Sequence, residues 1–329
     1  MSAARTRWGI LGPGVISRDF AAGLRASAHG VLHAVGSSSP ARAAAFAAEH
    51  GAEVAGSYDD ILAREDVDAI YVGTVHTTHA DLAVRALEAG KAVLCEKPAA
   101  PTLAEVERML ETAARVRRPF LEGFKTRFGP FADILGRLSA ELGSTEPRRL
   151  EVSRGFPAQS RDGRLFDPAL AGGAILDIGC YPVALAVQLA AAAGDPIDAP
   201  RFLAIEAELV NGVDGTAAAE FTLGGLNTAV ESSIVKALGR SATLRVGDTE
   251  IIVPDVWGTR SESPRTIVVR RGGDEEILTT PVVHPMASEA DALSAALAEG
   301  RLEVPEMPWA HTRAIARVLT DWRAGALAR

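Results

Sequence analysis

The segment Trp8-Gly9-Ile10-Leu11-Gly12-Pro13-Gly14-Val15-Ile16-Ser17 decides how the rest of the chain is read. Trp8–Leu11 is apolar enough for a strand buried on both faces, and Val15 opens a run with helical spacing. Between them, Gly12 permits a tight turn and Gly14 lets the backbone come close to a bound group. Free N–H groups at the start of the following helix, aided by its dipole, favour an anion such as a pyrophosphate. Ser17 stands where the full dinucleotide fingerprint has its third small residue. The order strand, glycine turn, helix predicts a dinucleotide cradle at Gly12, Gly14, Val15 and Ile16, with a plain tight turn as the alternative.

Downstream, Val31–Ser37, Ala69–Gly73 and Ala92–Cys95 read as further buried strands. Val15–Arg25, Pro40–His50, Thr78–Ala89 and Thr102–Val116 carry the helical spacing of Ala, Leu and Val. Such alternation gives a parallel, doubly wound α/β sheet with helices on both faces. Past Glu122 the pattern changes. A helix over Pro130–Leu142 and an extended run Arg148–Gly155 lead through glycines to an apolar helix over Ile175–Ala192. Strands then dominate: Arg201–Asn211, Gly215–Leu223, Asn227–Lys236, Ala242–Val246, Glu250–Val253 and Arg265–Arg271. Asn211-Gly212, Gly224-Gly225 and Gly272-Gly273 between them suit antiparallel hairpins. Helices over Met286–Glu299 and Trp309–Arg323 close the chain. The reading is two domains, 1–122 and 123–329, the second α+β with an open, mostly antiparallel sheet; the last helix can pack back on the first domain.

The 329 residues hold 34 Lys+Arg against 42 Asp+Glu, a net charge of −8, and 47% are hydrophobic. That is the balance of an ordinary soluble protein of about two domains. The acidic surplus argues against nucleic acid or an anionic membrane as partner. No apolar run reaches the roughly 18 residues of a membrane span, and a strand begins where a signal peptide would sit. Cys95 and Cys180 lie in unrelated apolar contexts and read as reduced, buried thiols. The expected address is the cytoplasm.

In this topology the second strand ends on the residue that reads the adenosine ribose, an Asp or Glu where the 2′-hydroxyl is free. Here the segment is Gly36-Ser37-Ser38-Ser39-Pro40-Ala41-Arg42, without an acid. Hydroxyls at Ser37 and Ser38 together with Arg42 suit a 2′-phosphate, favouring NADP, with NAD the alternative.

Further motifs follow: Thr74-Val75-His76-Thr77-Thr78-His79, Glu96-Lys97-Pro98, Arg164-Leu165-Phe166-Asp167-Pro168 and Gly172-Gly173-Ala174-Ile175-Leu176-Asp177-Ile178-Gly179-Cys180-Tyr181-Pro182. With the Gly12-Pro13-Gly14 turn they resemble the glucose–fructose oxidoreductase, inositol dehydrogenase and MocA (Gfo/Idh/MocA) family over essentially the whole chain. Within it they look most like the branch of NADP-dependent D-xylose dehydrogenases and dimeric dihydrodiol dehydrogenases. The resemblance implies a Rossmann domain, a second sheet that packs against another subunit, and an interdomain active site with Lys97 and Tyr181 beside the nicotinamide. The family often has Arg where Ser38 stands and Ala where Ser17 stands.

The residues support a proton-transfer site in their own right. Oxidising a carbinol by hydride transfer also removes the hydroxyl proton, and a tyrosine with a pKa near ~10 is a poor base at neutral pH. A cation beside it favours phenolate. Tyr181 is therefore the expected acid/base and Lys97 its cation; a buried Tyr and a surface Lys are the plain alternatives. Asp177, four residues before Tyr181, shares its face on a helix and either binds the substrate hydroxyl, orients Lys97 or serves the helix dipole. Gly172 and Gly173 allow close approach to a ligand or act as a loop hinge. Thr74, His79, Glu96 and Lys97 complete the cofactor-lining set, and Arg127, Phe156 and Arg164 join Asp177 and Tyr181 as substrate-side candidates. His76 and His79 lack a third ligand nearby, so no metal is expected.

The expected activity is hydride exchange between NADP and a carbinol or carbonyl carbon of a sugar or cyclic polyol. A ketosugar reductase running the same site backwards is the first alternative, and a non-catalytic dinucleotide sensor the second. The strand-rich half presents one broad sheet face, from which a homodimer or homotetramer is expected.

Overall fold

The computed structural model describes residues 5–143, 146–258, 264–281 and 283–328. Its first half interleaves six strands with five helices: β1 (Thr6–Leu11), α1 (Val15–Ala26), β2 (Gly30–Gly36), α2 (Pro40–His50), β3 (Val54–Gly56), α3 (Tyr58–Leu62), β4 (Ala69–Val72), α4 (His79–Glu88), β5 (Ala92–Glu96), α5 (Leu103–Val116) and β6 (Phe120–Gly123). The strands pair in the order β3-β2-β1-β4-β5-β6, every pair parallel. Trp8, Ile10, Tyr71, Val72, Leu94 and Phe120 are fully buried because helices cover both faces. Strand order reverses between β1 and β4, and an open parallel sheet takes its ligands at the carboxyl ends on either side of that point. The expected strands and helices are present, shifted by no more than two residues at most ends. Sequence reading passed over β3, α3 and β6, which are three, five and four residues long, too short for a periodic signal.

After α6 (Pro130–Leu142) comes β7 (Arg148–Gly155), then α7 (Cys180–Ala192), β8 (Arg201–Val210), β9 (Val213–Leu223), β10 (Leu226–Ser233), β11 (Ala242–Val246), β12 (Thr249–Val253), β13 (Thr266–Arg271), β14 (Asp274–Thr279), α8 (Pro285–Ala298) and α9 (Trp309–Leu327). The eight strands run β14-β13-β12-β11-β7-β10-β9-β8, antiparallel except for the β10–β7 pair. One face packs on α7. The helical stretch Pro168–Ala192 does have the length and apolar character of a membrane span, contrary to the expectation above. Its most apolar 18-residue window is 89% buried within the protein, so it is a core helix, apolar because it is enclosed.

The other face of this sheet is mixed: Ile252, Val268 and Ile277 are cross-strand neighbours along it, with Ile277 61% exposed, and ion pairs lie beside them. Arg149 pairs with Glu151 (3.0 Å) and Glu220 (3.1 Å), Arg245 with Glu151 (2.6 Å) and Glu250 (2.9 Å), and Arg270 with Glu275 (2.8 Å). These side chains are roughly half exposed.

Both closing helices bridge the halves. α8 lies on α1 and β5, while α9 lies between α7 and α5. Arg313 on α9 pairs with Glu107 on α5 at 2.9 Å, and Trp309 Nε1 donates to the Phe120 carbonyl of β6 at 3.1 Å. Cys95 and Cys180 are buried and unpaired.

Candidate active site

A cleft of about 1180 Å³ runs from the β1–α1 turn to the N-terminal end of α7. At one end Gly12 has φ +90°, and a Cβ there would lie 2.5 Å from Thr74 Cγ2. A Cβ on Gly14 would meet nothing nearer than 3.9 Å, leaving that backbone open to a ligand. α1 has neither a side-chain cap nor an acid in its first turn, so its N–H groups and positive dipole end are uncompensated. Ser17 donates to the Gly12 carbonyl at 2.6 Å and is fully buried, so it fastens the turn as well as filling the small-residue position.

At the end of β2, Ser38 and Arg42 line the cleft, with Arg42 Nη2 3.3 Å from Ser38 Oγ. Ser37 does not join them. It is 1% exposed and its hydroxyl accepts from the Ser39 amide, so it holds the turn rather than facing a ligand. Thr74 lines the cleft. His79 lines it too, but both ring nitrogens face carbonyls, of Pro98 (3.0 Å) and Thr74 (3.1 Å). Burial lowers its pKa to about 4, so the neutral ring carries one N–H and donates to one of these two carbonyls. His76 Nε2 reaches the Ala171 carbonyl at 2.9 Å, and no metal-binding cluster occurs among the described residues.

At the other end stand Lys97, Asp177 and Tyr181. β5 delivers Glu96 and Lys97 at its carboxyl end. A turn of π-helix, Ile175–Gly179, delivers Asp177 immediately before α7, which begins at Cys180. Such turns interrupt regular helix geometry and often mark functional sites. Lys97 Nζ donates to the main-chain carbonyl of Asp177 at 2.7 Å and lies 4.6 Å from the centre of the Tyr181 ring. The Asp177 carboxylate instead accepts from Arg164 Nη2 at 2.9 Å. Asp177 thus orients Lys97 through its backbone, while its side chain aligns Arg164.

Burial works against the charge on Lys97, but Tyr181, Cys180, Asp177 and Glu96 outweigh it and hold the amine above the usual lysine range. Burial opposes the Asp177 carboxylate as well, yet Lys97 and Arg164 keep its pKa below the usual value. Tyr181 departs from expectation. In the protein alone burial is the largest influence and raises the phenol above 10, although Lys97 and Arg154 both pull it down. One lysine does not by itself bring this tyrosine into the working range.

Arg127 is not a cleft residue. The 3₁₀ turn Lys125–Arg127 sends it into the interior, 4% exposed, where it donates to the carbonyls of Glu306 (3.0 Å) and Ala184 (3.3 Å). Phe156 and Arg164 do line the cleft. Gly172 and Gly173 are packing positions: a Cβ on Gly173 would lie 2.1 Å from Asp214 Oδ1, and one on Gly172 2.6 Å from the Leu165 carbonyl.

Sequence reading missed Arg154, Trp257 and Glu289. The Arg154 guanidinium lies 4.6 Å from the Tyr181 ring centre and 5.2 Å from that of Trp257, adding a second cation beside the phenol. Glu289, on α8, lines the cleft while only 1% exposed. No local motif marks any of the three; β7 carries Arg154 and α8 carries Glu289 to the cleft, while Trp257, after β12, packs against the Tyr181 ring.

A family model described as an oxidoreductase family with an NAD-binding Rossmann fold, Gfo/Idh/MocA, matches residues 6–124. The chain is 32% identical over 335 residues to trans-1,2-dihydrobenzene-1,2-diol dehydrogenase of Macaca fascicularis, covering 96% of each protein. It is 27% identical over 366 residues to D-xylose 1-dehydrogenase (NADP(+)) of Hypocrea jecorina, covering 96% of this chain and 90% of that one. Among solved structures it superposes on a 3-ketoreductase of Actinomadura kijaniata, a variant crystallised with TDP-benzene and NADP, with TM-score 0.85, 25% identity and 98% of each chain covered.

Proposed function

This chain belongs to the Gfo/Idh/MocA oxidoreductase family, and from that premise we propose that it is an NADP-dependent oxidoreductase acting on a carbinol or carbonyl carbon of a sugar or cyclic polyol, with Tyr181 as its acid/base. The NADP named for the xylose dehydrogenase and the ketoreductase supports the cofactor. So does the fit of the β2 end, where Ser38 and Arg42 offer a hydroxyl and a guanidinium to a 2′-phosphate and no acid repels it. Gly12, Gly14, Val15 and Ile16 would hold the pyrophosphate on the uncapped end of α1.

When bound, the dinucleotide supplies the hydride acceptor or donor and, when oxidised, a positive charge at the ring. The protein's part is the proton. The Tyr181 hydroxyl makes no hydrogen bond among the described residues, while Lys97 and Arg154 sit against its ring; this is the observation on which the reading rests. In oxidation the Tyr181 oxygen takes the substrate hydroxyl proton as the C–H electron pair leaves with hydride; in reduction it returns that proton to the alkoxide. Lys97, pinned by the Asp177 carbonyl, stabilises the phenolate, and Arg164, held by the Asp177 carboxylate, faces the substrate side with Phe156.

The similarity to a 3-ketoreductase favours reduction of a ketosugar as the second reading. We further assign dinucleotide binding to residues 1–122 and substrate binding to 123–329, a cytoplasmic address in keeping with two unpaired thiols, and self-association through the open face of the second sheet. The test follows nicotinamide absorbance with NADP across aldoses, inositols and a dihydrodiol, and with NADPH across ketosugars. Tyr181→Phe should lower turnover by roughly 10²–10⁴-fold with dinucleotide affinity retained. Unchanged turnover in that variant removes the assignment.

A further inference from the structure

Glu289 is buried in the cleft wall, and neither of its carboxyl oxygens has a hydrogen-bond partner among the described residues. A buried polar group left unpaired costs about 1–3 kcal/mol, more when charged, and folded proteins rarely keep one without a use. α8 carries it against α1, β5 and the 3₁₀ turn Lys125–Arg127. The groups facing it are Glu96 from β5 and Lys125 from that turn, with Tyr71 of β4 just behind, donating its hydroxyl to Glu96 at 2.7 Å. On α8 itself Asp291 is turned away, accepting from the amides of Ala28 (3.1 Å) and His29 (3.0 Å). Glu96 precedes Lys97 directly, so the two carboxyls stand where β5 and α8 flank the hydride end of the cleft.

Burial and the neighbouring Glu96 both disfavour a charge on Glu289, and Lys125 offsets them only in part. Burial first, then Glu96, holds Glu289 well above the ordinary carboxylic range, so in the free protein it keeps its proton. The two redox forms of a nicotinamide differ by one positive charge on the ring, and in a water-poor site a charge acts strongly on a carboxyl nearby. We infer that the Glu96–Glu289 pair distinguishes oxidised from reduced dinucleotide, Glu289 giving up its proton to solvent when the cationic ring binds and keeping it when the neutral ring binds. This rests on the dinucleotide reading above and adds to it a means of choosing between the two redox forms. By linkage, affinity for NADP⁺ rises with pH, while affinity for NADPH does not.

The test is direct binding of NADP⁺ and NADPH to the full chain, followed by fluorescence quenching and calorimetry. Glu289→Gln, which keeps the shape and removes the charge, should weaken NADP⁺ about tenfold, or about 1.4 kcal/mol, and leave NADPH within about twofold. Glu289→Asp should restore part of the NADP⁺ affinity. Equal weakening of both ligands, or an unchanged ratio, overturns the inference by making Glu289 a packing residue. Should the Gln variant fail to fold, calorimetry of the unmodified protein in two buffers of different ionisation enthalpy decides: proton release with NADP⁺ and not with NADPH sustains the inference, and release that is equal or absent overturns it. Failure of the unmodified protein to bind either dinucleotide would instead sink the dinucleotide reading, and this inference with it.

Discussion

Lys97→Met isolates the electrostatic part of the proton-transfer site. The Lys97 ammonium lies 4.6 Å from the centre of the Tyr181 ring, held there by the Asp177 carbonyl. At an effective dielectric of about 20, a unit charge some 5 Å from a developing phenolate is worth about 3 kcal/mol. That corresponds to about two pH units of Tyr181 acidity. Met keeps most of the side-chain volume and deletes the charge, so the phenol's pKa, already raised by burial, should rise further by about that amount. In the oxidation direction phenolate is the working form, so activity climbs with pH up to the Tyr181 pKa. The variant should lose roughly 100-fold at neutral pH and recover much of it at high pH, its limb displaced upward by about two units. In the reduction direction the neutral phenol is the working form, and the same variant should hold its activity to higher pH. The assay is a pH profile of kcat in both directions, with dinucleotide affinity measured alongside. A uniform fall at every pH, with the limb unmoved, would refute the electrostatic reasoning and leave Lys97 as a positioning group.

Three further perturbations test other parts of the account. Ser38→Asp places a carboxylate where a 2′-phosphate is expected, beside Arg42, and should move the ratio of NADP to NAD dissociation constants by about tenfold or more toward NAD; an unmoved ratio shows that the 2′-phosphate lies elsewhere. Arg127→Met removes a buried guanidinium that makes three hydrogen bonds to the carbonyls of Glu306 and Ala184, so thermal denaturation should show a loss of about 3 kcal/mol or more. Substrate KM should stay unchanged in that variant, and a raised KM with an unaltered melting point would return Arg127 to the cleft. Glu122, buried on β6 and accepting from the Ala99 amide at 2.8 Å, has its pKa raised to about 7, chiefly by burial. The folded state therefore holds a proton that the unfolded chain sheds above its ordinary pKa near ~4.5, so stability contributed by protonated Glu122 falls as pH rises through about 4.5 to 7. Glu122→Gln should flatten that part of the stability–pH curve in chemical denaturation, and an unchanged slope would assign the linkage to another group.

The first sheet was legible because each of its signals is local. A doubly buried strand is an apolar run, a helix over it repeats every three or four residues, and the Gly12–Gly14 turn admits few alternatives. Three of its short elements escaped because too few residues carried the period. In the second half every strand but β14 could be read, but the make-up of their open face could not. Whether Arg149, Glu151, Arg245 and Glu250 meet as ion pairs depends on strand register, which the hairpin turns alone do not set across eight strands.

The chemistry divides in the same way. Amino-acid identity at Gly12, Gly14, Ser38, Arg42, Lys97 and Tyr181 was enough to nominate a dinucleotide, its phosphate and a Tyr–Lys pair, since those residue types have few other reasons to occupy that order along a strand–turn–helix frame. Three-dimensional packing decided the rest. It turned Arg127 and Ser37 inward, gave Lys97 the backbone of Asp177 rather than its carboxylate, and brought Arg154 and Glu289 to the cleft from β7 and α8. Direction and burial of a side chain follow from how elements dock over long sequence separations, and it is burial that moves Tyr181 and Glu289 away from their ordinary acidities.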